Sequence, residues 1–300
     1  MKDYIVLTTG GNKQTAKDFA KFWNCQLGKV SVKKFADGEE LVKTLVNVED
    51  KDVIIIDSIA KKVNDKAMEI LMLLDSVNRC NPRSVTLIVP YLGYSRQDRV
   101  NSEFEPISSR VLAKVLETGK YNYLMTLDLH NPAIDSFFTR GIRNIATTEL
   151  FATYYTSYLK ENDIKTSDVV VVSPDHGSNY RADSLAFALR GAKRALCEKS
   201  RLEPDKISDI KINGDVKDKF CIILDDIIST GGTIIAVAKQ LYKAGAKTVV
   251  VGATHGVFVS DAIKKIKAAR VKDIVVTNSI EQKLEGVKTL DIVQLLINNI

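Results

Sequence analysis

Residues 221–233 read Cys-Ile-Ile-Leu-Asp-Asp-Ile-Ile-Ser-Thr-Gly-Gly-Thr, and this stretch decides the fold. Its first four residues are apolar and fit a buried strand, and two carboxylates, Asp225 and Asp226, follow at the C-terminal end of that strand. A turn rich in hydroxyls and glycine then opens a helix, and it consists of Ser229, Thr230, Gly231, Gly232 and Thr233. A strand, a tight turn and a helix in this order predict an α/β unit.

The chemistry of this stretch points to a phosphorylated sugar. A tight turn at a helix N-terminus exposes backbone N–H groups where the helix dipole favours an anion. Carboxylates repel phosphate but accept hydrogen bonds from sugar hydroxyls. The turn and the acid pair together therefore predict a site for a sugar 5-phosphate, although acids and glycines also simply end strands. The nucleotide-binding patterns GxxxxGK[ST] and GxGxxG are absent from the chain.

Short apolar runs alternate with segments of helical spacing along the chain. The runs are 4–8, 53–57, 85–90, 123–128, 168–173, 220–225, 248–253 and 273–277. The helical segments are 13–24, 65–79, 107–118, 149–161, 181–190, 233–245 and 259–269, and Asn64 is the expected cap of the second. Near-continuous Val and Ile runs are typical of parallel strands covered on both faces. This pattern predicts an α/β fold with mainly parallel sheets.

We expect two similar doubly wound domains, residues 1–146 and 147–300, because each half holds about four strands. The last helix is expected to pack back on the first domain. Ligands in doubly wound sheets bind beyond the carboxyl ends of the strands. Polar residues follow several of these strands in both halves, so we expect one cleft between the domains.

Composition limits the classes of function. The formal net charge is +6 and the lysines are scattered, which disfavours nucleic-acid binding and suits small polyanions such as sugar phosphates and ATP. The four cysteines show no CxxC spacing, so we expect thiols in a reducing compartment. No apolar run approaches the roughly 18 residues of a membrane span. We expect a cytoplasmic protein with no membrane partner.

The segment 221–233 resembles the phosphoribosyl-diphosphate (PRPP) binding motif of type I phosphoribosyltransferases and PRPP synthetases, which carry Asp where this chain has Ser229. By charge alone, residues 90–99, Pro-Tyr-Leu-Gly-Tyr-Ser-Arg-Gln-Asp-Arg, fit a polyphosphate-binding loop and a solvated loop equally well. They closely resemble the PYxxYxRQDR/K loop of PRPP synthetases, which the transferases lack. The chain is therefore similar to PRPP synthetases, and the resemblance extends from Lys29 to Ile300.

Four further segments carry the same resemblance, and three of them have a plainer explanation by themselves. Asp128-Leu129-His130 matches a DLH segment, but a lone histidine is more often structural. Ser173-Pro174-Asp175 matches SPDxG. Residues 35–39, Phe-Ala-Asp-Gly-Glu, match FxDGE, but alone they predict a hairpin turn. Residues 197–201 match a K-x-R segment, but alone they predict a solvated loop after a strand at 194–197.

The resemblance implies a type I phosphoribosyltransferase-like fold and transfer of the β,γ-diphosphate of ATP to the C1 hydroxyl of ribose 5-phosphate. It implies catalysis by Lys199 and Arg201 and a Mg²⁺ site at His130 and Asp175. The ATP residues it implies are Phe35, Asp37, Glu39, Arg96, Gln97, Arg99 and His130. The ribose-5-phosphate residues it implies are Asp225, Asp226, Ser229, Thr230, Gly231, Gly232 and Thr233. It also implies a homo-oligomer, a dimer or a hexamer, whose adenine pocket is shared between subunits.

Some positions depart from the family. Phe104 stands where many members place an arginine for an effector phosphate, and Glu49 lies near the same regulatory pocket. The chain also ends at Ile300, without the tail that completes this pocket in many relatives. We therefore expect weak or absent activation by phosphate and inhibition by ADP. Two rival interpretations stay open, a phosphoribosyltransferase that consumes PRPP and a non-catalytic regulatory subunit.

Overall fold

A computed structural model of the chain describes the backbone of residues 3–203 and 206–300 and the side chains of residues 3–198 and 210–300. The chain divides into two compact units. The first comprises the chain up to Ile145 together with Asn278–Gln282 and Asp291–Ile300. The second comprises Ala146–Thr277 and Lys283–Leu290.

The first unit is built on a parallel sheet. Its strands are β1 (Tyr4–Leu7), β2 (Gln26–Leu27), β5 (Asp52–Ile56), β6 (Ser84–Ile88), β7 (Tyr123–Leu127) and β8 (Ile142–Ile145). They pair in the order β2-β1-β5-β6-β7-β8. A separate antiparallel hairpin is formed by β3 (Val30–Lys34) and β4 (Glu40–Thr44). The helices are α1 (Lys13–Phe22), α2 (Val63–Asn78) and α3 (Ser108–Thr118), with a short 3₁₀ helix at Pro132–Phe137.

The second unit holds a larger sheet with one antiparallel edge. Its strands are β9 (Val169–Ser173), β10 (Lys193–Glu203), β11 (Lys206–Asn213), β12 (Phe220–Ile228), β13 (Thr248–Gly256), β14 (Ile274–Thr277) and β15 (Lys288–Leu290). They pair in the order β11-β10-β9-β12-β13-β14-β15, and β10 and β11 run antiparallel. The helices are α4 (Thr148–Glu161), α5 (Asn179–Ala188), α6 (Gly232–Lys243) and α7 (Ala262–Ala268), with a short 3₁₀ helix at Thr166–Asp168. The last helix, α8 (Val293–Ile297), belongs to the first unit and packs against α1.

The central strands are apolar because both of their faces are covered. On β12, Ile223 packs into a core cluster with Ile234 of α6, whereas Ile222 on the opposite face packs into a cluster with Leu185 of α5. Each fully buried side chain of this size contributes about 1.5–3 kcal/mol of stabilisation. The predicted α/β fold with mainly parallel sheets is confirmed.

Both sheets use the same strand connectivity around a switch point. In each sheet, the strand that follows the first one pairs on one side of it, and a later strand pairs on its other side. The direction in which strands are added therefore reverses between β1 and β5 in the first sheet and between β9 and β12 in the second. Leu7 lies opposite Ile55, and Val172 lies opposite Ile223. Two residues beyond these partners stand Asp57 and Asp225, which therefore occupy equivalent positions.

In the first unit, Asp57 lies at the switch point and binds the loop that follows β1. Its carboxylate accepts hydrogen bonds from the Thr8 hydroxyl at 2.9 Å, the Thr9 N–H at 2.5 Å and the Gly11 N–H at 2.7 Å. Burial raises the pKa of Asp57, and these hydrogen bonds offset only part of that rise. The Ser58 N–H donates to Asn12 Oδ1 at 2.6 Å. Asp57, Ser58 and Asn12 thus find their hydrogen-bond partners within this crevice.

Two local expectations are wrong. Lys62, not Asn64, is the N-cap of α2, and Asn64 instead accepts a hydrogen bond from the Tyr94 hydroxyl. Residues 199–201 do not follow the strand as a loop, because β10 continues to Glu203 and pairs with β11. The apolar pattern stops near 197, whereas the backbone pairing of two strands does not require apolar side chains.

The four cysteines are thiols, and Cys197 and Cys221 are buried. Across the part of the chain that the structure describes, no helix is long and apolar enough to cross a lipid bilayer.

Replacing Asp57 with alanine should strongly destabilise the first unit. The change leaves three donors without their acceptor, and each buried unpaired donor costs about 1–3 kcal/mol. We expect the free energy of unfolding to fall by about 3 kcal/mol or more. Trp23, the single tryptophan, stacks on Tyr4 in this unit, so its fluorescence during urea unfolding measures the effect. Asp75→Ala, which breaks an exposed ion pair with Arg79, is the control. Equal unfolding midpoints for both variants would contradict the prediction.

Candidate active site

The acid pair of the second unit lies at its switch point, beside the loop that follows β9. Asp225 and Asp226 are only 8% and 3% exposed. Ser178, which precedes α5, donates its hydroxyl to Asp225 Oδ1 at 2.8 Å, and the backbone N–H of Asp226 donates to the same oxygen at 2.9 Å. The structure therefore brings together polar groups that follow two neighbouring parallel strands.

The two carboxylates have different electrostatic surroundings. Burial, and then the charge of Asp226, raise the pKa of Asp225 to about 7, although the Ser178 hydroxyl opposes this rise. Successive side chains of a strand face opposite sides, so Asp226 follows Ile222 and Leu224 toward α5. There its Oδ1 lies 3.8 Å from Nη1 of Arg181, another buried side chain.

The turn after the acid pair has the backbone geometry of an anion cradle. Gly231 is the N-cap of α6 and has a φ of +77°, a conformation that favours glycine. A Cβ at this position would also lie 2.8 Å from Ile266, so the residue is doubly restricted. The carbonyl of Ser229 accepts from the Val259 N–H at 3.1 Å and so is turned away from the helix start. The N–H groups of the first helical turn have no backbone partner inside the helix. That of Gly232 donates to the Thr230 hydroxyl at 3.4 Å, a long bond at the edge of the turn.

Asp175 lies on the loop between β9 and α5. Its Oδ1 accepts from the backbone N–H of Ser178 at 3.1 Å, and its carbonyl accepts from the Ser173 hydroxyl at 2.6 Å. Ser178 thereby links Asp175 to Asp225, since its N–H binds one and its hydroxyl the other. The predicted metal residue and the acid pair thus belong to one hydrogen-bonded cluster in the second unit.

In the first unit, two predicted segments meet at the ends of β6 and β7. Asp98, between Gln97 and Arg99, is buried and accepts a hydrogen bond from the Asn131 amide at 2.5 Å, directly after His130. Burial alone raises the pKa of Asp98, but the hydrogen bonds from Asn131 and Arg99 and the Arg99 charge outweigh it and lower the pKa. This contact holds the 96–99 loop against the segment that carries His130.

Arg96 and Gln97 are exposed and line an open cavity of about 760 Å³. Its remaining lining residues are Lys61, Lys62, Val63, Asn64, Asp65, Tyr91 and Tyr94. Three cationic side chains and two tyrosines give this cavity the character of a site for an anion with an aromatic part.

Residues 35–39 form the tip of the β3–β4 hairpin, so the hairpin reading of this stretch is confirmed. Lys34 pairs with Glu40 across the ribbon, and the Phe35 N–H donates to the Glu39 carbonyl at 2.8 Å. The Phe35 ring is 40% exposed, and Asp37 is exposed beside it. The tip therefore presents an aromatic face and acids to solvent.

The predicted catalytic pair lies in β10, where Lys199 stands opposite Ile210 and Arg201 opposite Ile207 in β11. The pairing register shifts between residues 200 and 201. The side chains of Lys199 and Arg201 lie outside the described residues.

Comparison with known proteins gives the family. The model for the N-terminal domain of ribose phosphate pyrophosphokinase matches residues 4–119, and that for the phosphoribosyl synthetase-associated domain matches residues 192–300. The ribose-phosphate pyrophosphokinase of Bacillus caldolyticus is 37% identical over 96% of this chain and 90% of its own length. That of Bacillus subtilis is 36% identical over 98% and 92%. The chain belongs to the ribose-phosphate pyrophosphokinase family.

A solved structure agrees with this assignment. Phosphoribosylpyrophosphate synthetase from Mycobacterium smegmatis superposes with a TM-score of 0.90 at 30% identity, covering 99% of this chain and 97% of that one. The chain therefore has the two-part, type I phosphoribosyltransferase-like architecture of a ribose-phosphate pyrophosphokinase. It is an enzyme, a ribose-phosphate diphosphokinase, and the two rival interpretations lose their support.

Sequence reasoning missed three residues of these clusters, Ser178, Arg181 and Asn131. Arg181 had a usable signal, because it lies on the apolar face of α5, one turn before Leu185. A charged residue at such a position is rarely buried without a partner. The bonds of Ser178 and Asn131 depend on contacts between distant loops and leave no local pattern.

The raised pKa of Asp225 predicts a pH-dependent stability in the absence of ligands. The fold favours the protonated carboxyl, so this stabilisation is complete below about pH 4 and is lost as the pH rises through about 7. We expect the thermal unfolding midpoint, followed by circular dichroism, to fall more between pH 5 and pH 8 in the natural chain than in Asp225→Asn. Asp215→Asn, at an exposed site, should behave like the natural chain. An equal fall in all three proteins would refute the assignment of this titration to Asp225.

Proposed function

We propose that the described clusters bind the two substrates of diphosphate transfer, ribose 5-phosphate in the second unit and ATP through the first. The observation that carries the proposal is the buried acid pair at the β9–β12 switch point, followed directly by a turn with positive φ at Gly231. Acceptors for hydroxyls and donors for phosphate stand side by side there, as a sugar phosphate requires.

Asp225 and Asp226 take the ribose hydroxyls, because carboxylates are acceptors when ionised. The 5-phosphate sits on the turn formed by Ser229, Thr230, Gly231, Gly232 and Thr233. Ser229 offers a hydroxyl where relatives carry an acid, which leaves the backbone cradle in place.

ATP is held by Arg96, Gln97, Arg99 and His130. The open cavity beside Arg96 and the bond between Asp98 and Asn131 support this assignment, since they place cations and a fixed loop at the ends of β6 and β7. Phe35, Asp37 and Glu39 serve the adenine of a neighbouring subunit's ATP, and their exposure on the hairpin tip suits a shared pocket. The chain then acts as a homo-oligomer, a dimer or a hexamer.

In the reaction, the C1 hydroxyl oxygen of ribose 5-phosphate attacks the β-phosphorus of ATP. The bond between that phosphorus and the oxygen bridging to the α-phosphorus breaks, AMP leaves with this oxygen, and the hydroxyl proton passes to solvent. Phosphoryl transfer of this kind depends on positioning and on neutralising the charge of the transferring group. We assign that neutralisation to Lys199 and Arg201.

The chemistry of the donor set fits Mg²⁺. Asp175 supplies the carboxylate oxygen that this ion prefers, and substrate phosphates and water complete such sites. Within the described ranges no three His, Cys, Asp or Glu side chains gather into a metal cage, in keeping with a site shared with substrate. His130 is the second proposed ligand and rests on the family resemblance. When bound, Mg²⁺ supplies charge neutralisation on the phosphate oxygens.

Lys199→Ala should abolish most of the activity. The purified chain with ATP, Mg²⁺ and ribose 5-phosphate is expected to form AMP and PRPP in equal amounts. Removing one cation that acts on the transferring group should lower kcat by about 10³-fold. Lys211→Ala, in the neighbouring strand β11, is the control and should keep its activity. Unchanged kcat in Lys199→Ala would exclude Lys199 as a catalytic residue, and AMP without PRPP would exclude the proposed acceptor.

Regulation by phosphate and ADP should be weak. Phe104 is fully exposed and carries no charge, and Glu49 is exposed and adds a negative one, so both positions disfavour an anionic effector. We expect inorganic phosphate to change the initial rate little, and any inhibition by ADP to be fully relieved by ATP. Initial rates over a phosphate titration measure this. A sigmoidal activation curve would disprove the expectation, and Phe104→Arg tests whether charge at this position is responsible.

A further inference from the structure

Arg181 is a buried cation at the acid pair. Its side chain is only 4% exposed, that of Asp226 is 5% exposed, and its Nη1 lies 3.8 Å from Asp226 Oδ1. The guanidinium also lies over the Tyr180 ring, with 4.6 Å between Cζ and the ring centroid. Arg181 is thus fixed from two sides, by a carboxylate on β12 and by an aromatic ring on its own helix.

Burying the Arg181 guanidinium costs desolvation free energy. The same face of α5 carries Ala182 and Leu185, both buried in an apolar cluster. Burying a guanidinium there is tolerated only when a charge partner compensates for lost hydration. A hydrophobic residue would pack on this face without that cost, so the stability of α5 alone does not explain the arginine.

The first unit shows the same position without this cation. Ser58 follows Asp57 as Asp226 follows Asp225, and it is neutral. Its backbone N–H is bound by Asn12, and its hydroxyl donates to the Ser279 carbonyl at 2.5 Å. The single acid at the first switch point receives hydrogen bonds from the loop beside it. Two adjacent buried acids also repel each other, and a nearby cation offsets that repulsion. The buried arginine is therefore found in the unit that has a second acid, Asp226, and not at the equivalent position of the first unit, where Ser58 is neutral.

We propose that Arg181 is a positioning residue for ribose 5-phosphate: it holds the Asp226 carboxylate in its orientation, so that the acid pair presents acceptors to the ribose hydroxyls. The inference rests on the proposed function, which assigns the pair to ribose. Arg181 acts through Asp226, and Ser178 holds the other acid, Asp225, through a hydrogen bond from its hydroxyl. Its effect therefore falls on ribose 5-phosphate and spares ATP.

The test is a double-mutant cycle with Arg181→Met, Asp226→Asn and their combination, with KM measured for each substrate and ribose 5-phosphate binding measured by calorimetry. We expect Arg181→Met to raise KM for ribose 5-phosphate about tenfold or more, because Asp226 loses its ion-pair partner and its hydrogen bond with a ribose hydroxyl is misplaced. KM for ATP should change less than threefold. In the Asp226→Asn background the same change should add less than twofold, since its target is gone.

Two further variants keep the test decisive. Arg194→Met breaks an exposed ion pair with Asp183, at 2.9 Å, and should leave KM for ribose 5-phosphate unchanged. Arg181→Lys keeps the charge and should recover part of the affinity, and it replaces Arg181→Met in the cycle if thermal unfolding shows that the methionine variant does not fold.

The outcomes separate this inference from the proposed function. If Asp226→Asn raises KM for ribose 5-phosphate but Arg181→Met does not, or if their effects multiply fully, Arg181 is not a positioning residue. An equal rise of both KM values in Arg181→Met would also overturn it. If Asp226→Asn leaves ribose 5-phosphate binding unchanged, the assignment of the acid pair fails and this inference fails with it.

Discussion

Two neighbouring carboxylates buried at the end of one strand constrain the second unit more than any other feature. Their repulsion and lost hydration must be compensated locally, and the compensating groups are the Ser178 hydroxyl, the Asp226 N–H and the Arg181 guanidinium. Ser178 and Arg181 come from the connection after β9. The strand β9 must therefore lie beside β12, and α5 must begin within one turn of the acids, which the parallel register provides.

The two units have the same switch-point topology but different polar groups at it. Both place an acid two residues past the register partner of the first strand. In the first unit, Asp57 accepts three hydrogen bonds from the Thr8–Gly11 loop, so most of its acceptor capacity serves the protein itself. The polar residues of that unit gather instead at the ends of β6 and β7, where Asp98 and Asn131 join two loops.

Much of the architecture was predictable because it depends on local patterns. The Val and Ile runs predicted the parallel strands, and the acid–turn–helix order at 221–233 predicted the groups at one switch point. Other features depend on distant contacts. Ser178 reaches Asp225 only because β9 lies beside β12 in the folded sheet. Asn131 likewise acts through its hydrogen bond to Asp98, which is 33 residues away in the sequence. The extension of β10 to Glu203 comes from pairing with β11, which polar side chains do not reveal.

The discontinuity of the first unit has a consequence for how the chain is made. Asn12 and Ser58 both bind the carbonyl of Ser279, and Gln14 donates its N–H to Glu281 at 2.7 Å. During synthesis on the ribosome, these partners emerge only after residues 146–277, most of the second unit, have been translated. Until then the polar groups of these amino-terminal residues are hydrogen-bonded to water, and the incomplete first unit is exposed to chaperones and to misassembly. Final assembly of the first unit therefore comes late, after most of the second unit has been made.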